Sequence, residues 1–195
     1  MYCIQILFVW RLDKVKNRIV IGAGRYNNNP GWLHTEEAEL SLLKSEKWEK
    51  RFILESLDAI LAEHVWEHLS YKEGLTAAKE CYRYLKKGGY IRCAVPDGFF
   101  PNKAYQHVVQ VGGPGPVNHI CAGHKVLFTY HSLKAMFSEA GFLVDLLEYH
   151  DETGVFHENN WNGEDGIIFR SKRYDPRNQG ESIVFASLII DAIKK

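Results

Sequence analysis

The chain has 195 residues, 46% of them hydrophobic and 25% charged. That is enough apolar material for one buried core, and it excludes intrinsic disorder. Lys plus Arg (24) cancels Asp plus Glu (24), so no bulk field gathers long nucleic acid or anionic lipid.

Residues 1–10 are apolar but stop at Arg11, about half the length a membrane span requires. No basic stretch precedes them, so neither a membrane span nor a secretory signal is expected, and residues 1–17 are read as a peripheral segment packed on the domain. Cys3, Cys81, Cys93 and Cys121 have no metal-finger or disulfide spacing and fit reduced thiols in a cytoplasmic protein. No repeat or linker appears, and residues 1–195 read as a single domain.

Arg18–Ile21 is a β-branched run ending at Gly22-Ala23-Gly24. Two glycines let the backbone turn sharply and approach a ligand closely, as a nucleotide-type cofactor requires; a plain tight turn explains them equally. Trp32–Thr35 reads as a second strand, and Leu40–Leu43 as a third. Glu36 follows the second strand, where a carboxylate can accept both ribose hydroxyls of a nucleoside or simply be solvated.

Leu57–Glu63 reads as a buried strand. Ser70 and Glu73 form a capping box opening a helix with Leu75, Ala78, Tyr82 and Leu85 on one face, closed by Lys86-Lys87 and Gly88-Gly89. Tyr90–Val95 is the next strand, ending at Pro96-Asp97. This strand, helix, strand order predicts parallel pairing. Residues 98–128 and 150–181 read as irregular lid or substrate insertions. Between them lie a helix near Thr129–Ala140 and a strand over Phe142–Tyr149. Ser182–Asp191 is expected to be an antiparallel terminal strand. The expected fold is α/β, a Rossmann-like three-layer sandwich with a mostly parallel sheet.

His64, Glu67 and His68 match the H-x-x-E-H pattern of zinc hydrolases, which needs both histidines one turn apart on a helix. Here a strand runs into His64 and the helix restarts only at Ser70, so Glu63 and His64 are read instead as lining a cofactor pocket at a strand end. His107, His119, His124 and His131 stud the loops and the following helix, either as surface groups or near a site. Asp97, directly after a strand, is the first general-base candidate and His124 the second. The run Arg170–Asn178 can clamp an anionic substrate or be solvated.

In their order, these residues resemble a class I S-adenosylmethionine-dependent methyltransferase. Gly22-Ala23-Gly24 resembles the family's first motif, and Glu36 stands where its ribose-binding acid would be. Ala59–Leu69 resembles the strand motif that ends near the adenine and sulfonium. Tyr82–Asp97 is similar to the family's R-x-L-K-P-G-G turn, with Lys87 in place of proline. The first motif departs from the pattern, because Asn27–Gly31 leads straight to the next strand and the first crossover helix is expected to be lost or reduced to a turn. The resemblance implies S-adenosylmethionine as cofactor. It assigns Gly22, Ala23 and Gly24 to the methionine part, Glu36 to the ribose, and Glu63 and His64 to the adenine side. Asp97 or His124 would take a proton from an unidentified methyl acceptor, a small molecule or glycan-type compound. A catalytically degenerate binding protein and the zinc hydrolase are the alternatives.

Overall fold

The computed structural model describes residues 16–114, 120–180 and 182–195. Its seven strands are β1 (Arg18–Ile21), β2 (Leu33–Thr35), β3 (Leu57–Glu63), β4 (Leu85–Pro96), β5 (Leu143–His150), β6 (Phe156–Glu158) and β7 (Ser187–Ile193). They form one sheet in the order β2-β1-β3-β4-β7-β5-β6. The first four in that order pair in parallel, and β7 runs antiparallel to both β4 and β5. The helices are α1 (Ser45–Glu49), α2 (Tyr71–Tyr84), α3 (Lys103–Val109) and α4 (Tyr130–Glu139). The expected α/β, mostly parallel architecture is observed. No helix among the described residues is long and apolar enough to cross a membrane.

The strands are hydrophobic on both faces because both are covered. One face carries Ile19, Ile60, Ile91 and Ile190 against Trp48 of α1, Ala77, Ala78 and Cys81 of α2, and Leu133, Met136 and Phe137 of α4. Each large side chain so buried contributes about 1.5–3 kcal/mol. Val20, Ala59, Leu61, Ala94 and Ile189 point the other way, onto Ala23, Trp32, Trp161 and Ile168. Right-handed crossovers explain the division, since the chain moves one way along the sheet through α1 and α2 and the opposite way from β1 to β2. Residues 22–32 therefore run on the second face, and they contain no helix, as the short spacing predicts.

Of the expected substrate insertion at 150–181, the part from Phe156 to Glu158 adds strand β6 to the sheet edge, and the stretch after it, with Trp161, Ile168 and Tyr174, supplies the rest of that second layer. Buried polar groups bolt this stretch down. Arg92 reaches Asp191 on the adjacent strand through two bonds of 2.8 Å and donates to the carbonyls of Asn162 and Gly166. Glu148 accepts from Trp161 Nε1 and the Lys172 amide, and burial raises its carboxyl above the usual range. Asn29 exchanges two hydrogen bonds with the backbone of Ile167.

Several boundaries differ from expectation. Leu40–Leu43 forms turns, and the ambiguous stretch after it becomes α1. The Ser70–Glu73 capping box is present, but α2 buries Gly74, Ala77, Ala78, Cys81 and Tyr84, with Leu75 and Tyr82 only partly covered. The helix ends at Tyr84, before the lysines, and Lys86–Gly89 bulges within β4 opposite Leu57–Ala59. The irregular 98–128 stretch contains α3. The terminal strand begins at Ser187, where pairing with Pro96 begins, rather than at Ser182. Residues 1–15 and His119 lie outside the described residues.

Candidate functional site

The parallel strands end on one edge of the sheet, and the connections leaving β1 and β3 depart to opposite faces there. A cleft must open where they part, which is where α/β sheets bind ligands. A cleft of about 430 Å³ lies at this point, with Gly22, Glu36, Leu43, His64, Val65 and His68 among its lining residues.

Gly22 (φ +60°) and Gly24 (φ +57°) both adopt the left-handed backbone that disfavours side chains. A Cβ on Gly22 would meet Val65 Cγ2 at 2.8 Å, so the β1 turn and the β3 turn approach only because Gly22 has no side chain. The Gly24 amide donates to Glu36 Oε1 at 2.6 Å, and the Ala23 amide to the Thr35 carbonyl at 3.2 Å. The glycine turn and the acid after β2 are thus one hydrogen-bonded unit. Glu36 remains exposed at the cleft.

His64 also has a left-handed backbone, at φ +56°. Its Nε2 shares a 2.9 Å hydrogen bond with Ser187 Oγ, and its ring stacks near Phe185. Burial holds its imidazole well below the ordinary range, with the Arg170 charge and neighbouring imidazoles adding to the effect, so it is neutral at pH 7. This conformation overturns the H-x-x-E-H reading. The chain turns at His64, and Trp66–His68 is a single 3-10 turn rather than a helix carrying both histidines. The two rings do not share a helical face, and His64 is spent on Ser187.

Two other expected site residues are committed elsewhere. Glu63 accepts the amides of Phe169 and Arg170 at 2.8 and 2.9 Å and anchors the second layer instead of lining the cleft. Burial raises its carboxyl, opposed by the Arg170 charge. Asp97 is completely buried. It accepts from the Phe99 amide and from both the amide and Nδ1 of His150, joining the end of β4 to the end of β5. As a general base facing the cleft it is therefore misplaced.

His124 is buried and its ring packs edge-on against His68, centroids 5.0 Å apart, so it stands one ring behind the cleft wall. Glu67, buried between these groups, has its carboxyl pushed up to about 8 by desolvation. Sequence spacing linked Glu67 with His68 but gave no signal for the approach of His124. His107 lies exposed on α3, and His131 on α4 pairs with Glu152 at the surface. Arg177 of the basic run is held by Asp175 and stacks over Phe185, and Arg170 lies over the Tyr26 ring.

A family model described as a methyltransferase domain matches residues 32–93, which span Glu36, β3, His64 and α2. No curated protein matches the sequence. Among solved structures, the fold resembles an S-adenosylmethionine-dependent methyltransferase from Thermotoga maritima (18% identity, TM-score 0.53, covering 92% of this chain and 82% of that one). It also resembles one from Archaeoglobus fulgidus (17% identity, TM-score 0.54, 93% and 87% covered). A third is from Methanosarcina mazei (14% identity, TM-score 0.51, 93% of each chain). At such identities the likeness concerns the fold.

Proposed function

We propose that this chain, which carries the fold of class I S-adenosylmethionine-dependent methyltransferases and a methyltransferase-domain match, transfers the methyl group of S-adenosylmethionine to a small or glycan-type acceptor. The observation that carries this reading is the Gly24–Glu36 hydrogen bond at the mouth of the cleft. It joins a side-chain-free turn to a carboxylate at the strand edge, the pairing that recognises a nucleoside with a charged tail.

The cleft's chemistry fits the cofactor. Glu36, Glu37 and Glu73 give its lining an acidic bias, which suits a cationic sulfonium compound, and Leu43, Val65 and Leu69 offer apolar surface to a base. Glu36 would accept the ribose hydroxyls through the oxygen not taken by Gly24, and the backbone of Gly22–Gly24 would face the amino-acid part. His64, neutral and fixed by Ser187, would form the wall beside the base. The bound cofactor supplies an electrophilic methyl group on sulfur. An in-line displacement depends chiefly on alignment of the nucleophile, so rigid cleft walls serve it directly. The buried, unreactive thiols of Cys81 and Cys93, both raised by burial, go with a cytoplasmic setting.

Calorimetric titration with S-adenosylmethionine and S-adenosylhomocysteine tests the reading. Micromolar binding of either supports it and leads to an acceptor screen. A folded protein that binds neither is a methyltransferase fold without the chemistry, the outcome that the helix-free β1–β2 connection favours.

A further inference from the structure

Beside the cleft, Glu67 is 1% exposed, and neither carboxyl oxygen has a hydrogen-bond partner among the described residues. His64 Nδ1 stands 3.3 Å from Oε1, but out of line for a hydrogen bond. A buried carboxyl without partners is costly, and such groups normally pair or coordinate a metal. Two imidazoles face it. The donor atoms of Glu67, His68 and His124 all lie within 4.8 Å of one another.

The surroundings hold these side chains in place. The Glu67 carbonyl accepts the amides of Lys125 and Val126 at 2.7 and 3.2 Å, bringing the His124 segment onto the turn after β3. His124 Nδ1 lies 2.9 Å from the Val109 carbonyl. A carbonyl only accepts, so Nδ1 carries the proton and Nε2 the lone pair, the arrangement that orients a metal-binding imidazole. A Cβ on Gly123 would stand 3.1 Å from His68 Nδ1, so the glycine admits the ring.

We infer that Glu67, His68 and His124 bind a divalent transition-metal ion, with zinc the best match to the donors. Two imidazoles and one carboxylate form a recurrent zinc set, whereas calcium and magnesium select all-oxygen sites. Modest rotation of the side chains draws the donors to about 2.0–2.2 Å from a common centre. Three protein donors leave one position open. His68 lines the cleft, so water or an oxygen or nitrogen of a cleft ligand would complete the coordination from that side. The ion also ties the segment at 120–126 to the end of β3. The site uses Glu67 and His68 of the H-x-x-E-H run, but its third donor comes from a distant loop, and it stands independently of the methyl-transfer reading.

The test is zinc chloride titration of the chelator-treated full-length protein against a chromophoric competitor, with cobalt(II) substitution followed by visible absorption. One equivalent per chain is expected, with a cobalt spectrum of nitrogen and oxygen ligation and a zinc-dependent rise in Tm. His68→Ala and His124→Ala should each weaken zinc binding by more than about 100-fold, and Glu67→Gln by at least about 10-fold. His131→Ala, on the surface of α4, should leave binding unchanged. The cobalt spectrum and Tm shift are read on the unmodified chain, so a variant that fails to fold does not decide the result. Failure of the unmodified protein to take up stoichiometric zinc overturns the proposal. So does an unchanged cobalt spectrum in a folded His68→Ala/His124→Ala double variant.

Discussion

The amide of Gly24 and the carboxylate of Glu36, twelve positions apart in sequence, meet at 2.6 Å. The β1–β2 connection therefore closes on itself at the cleft mouth without a helix. Glu36 is exposed, and its removal should leave the core intact. Hydrogen bonds to a charged group contribute about 1.5–3 kcal/mol, so Glu36→Ala should weaken S-adenosylmethionine binding roughly 10–100-fold with little change in Tm. Calorimetry beside a melting curve reads both, and equal affinity in the folded variant would remove Glu36 from the site.

Gly24→Val forces a branched side chain onto a φ of +57° with open space around it. Backbone strain is the main penalty, about 1–2 kcal/mol. Binding of S-adenosylmethionine should be abolished while the far-ultraviolet dichroism stays native. Intact binding would mean that this turn does not touch the cofactor.

The α2 capping box gives a pH dependence. The backbone and side chain of Ser70, and then Lys125, hold the Glu73 carboxyl down at about 2, against an ordinary 4.5. A group depressed on folding stabilises the native state above its unfolded value. That contribution is lost as pH falls from about 4.5 towards 2. Ser70→Ala should cost about 0.5–2 kcal/mol at neutral pH, and Glu73→Gln, which removes the titrating carboxyl that the Ser70 amide holds, should flatten the acid limb of the stability curve. Denaturant melts from pH 7 down to pH 3 measure both effects, and an acid limb identical to that of the unmodified protein would refute the assignment.

Arg92 is the largest charged side chain in the core, and it serves Asp191 and two carbonyls of the second layer at once. Arg92→Met strands the Asp191 carboxyl, already raised by burial, and both carbonyls. Losing one partner of a buried pair costs about 3–5 kcal/mol. A fall in Tm of about 10 °C is expected, with faster proteolysis within residues 159–175. An unchanged Tm would show that apolar packing alone holds that layer.

The sequence made legible whatever was local. β1 and β3 are mostly β-branched or apolar runs, the α2 start is a four-residue motif, and the Gly22–Gly24 turn with Glu36 follows from strand ends. What it concealed depends on partners far along the chain. Glu63 looked free for a ligand because Phe169 and Arg170, more than 100 positions away, take its oxygens. The His68–His124 contact has no spacing signature, since the segment carrying His124 reaches the turn through backbone amides. The terminal strand shifted because cross-strand pairing with Tyr90–Pro96, rather than its own hydropathy, fixes where it starts. α3 was hidden by its seven-residue length, too short for a helical stripe to declare itself.

Asp97 separates a structural carboxylate from a catalytic one. Its donors are the Phe99 amide, the His150 amide and His150 Nδ1, and the Tyr105 hydroxyl accepts the Asp97 amide while donating to Ala186. Every side-chain contact of Asp97 needs an acceptor. In Asp97→Asn the new amide nitrogen must face one of these donors, leaving buried hydrogen-bonding groups unmatched at a cost of about 1–3 kcal/mol. Stability should fall by that amount, while S-adenosylmethionine affinity and, once an acceptor is known, the turnover per folded molecule stay within about twofold. A general base behaves differently. Its loss removes about 10²–10⁴-fold in rate and the limb of the pH profile that it sets, with stability hardly moved. Denaturant melts and kcat on one preparation distinguish the two, and a rate collapse at native stability would return Asp97 to the reaction.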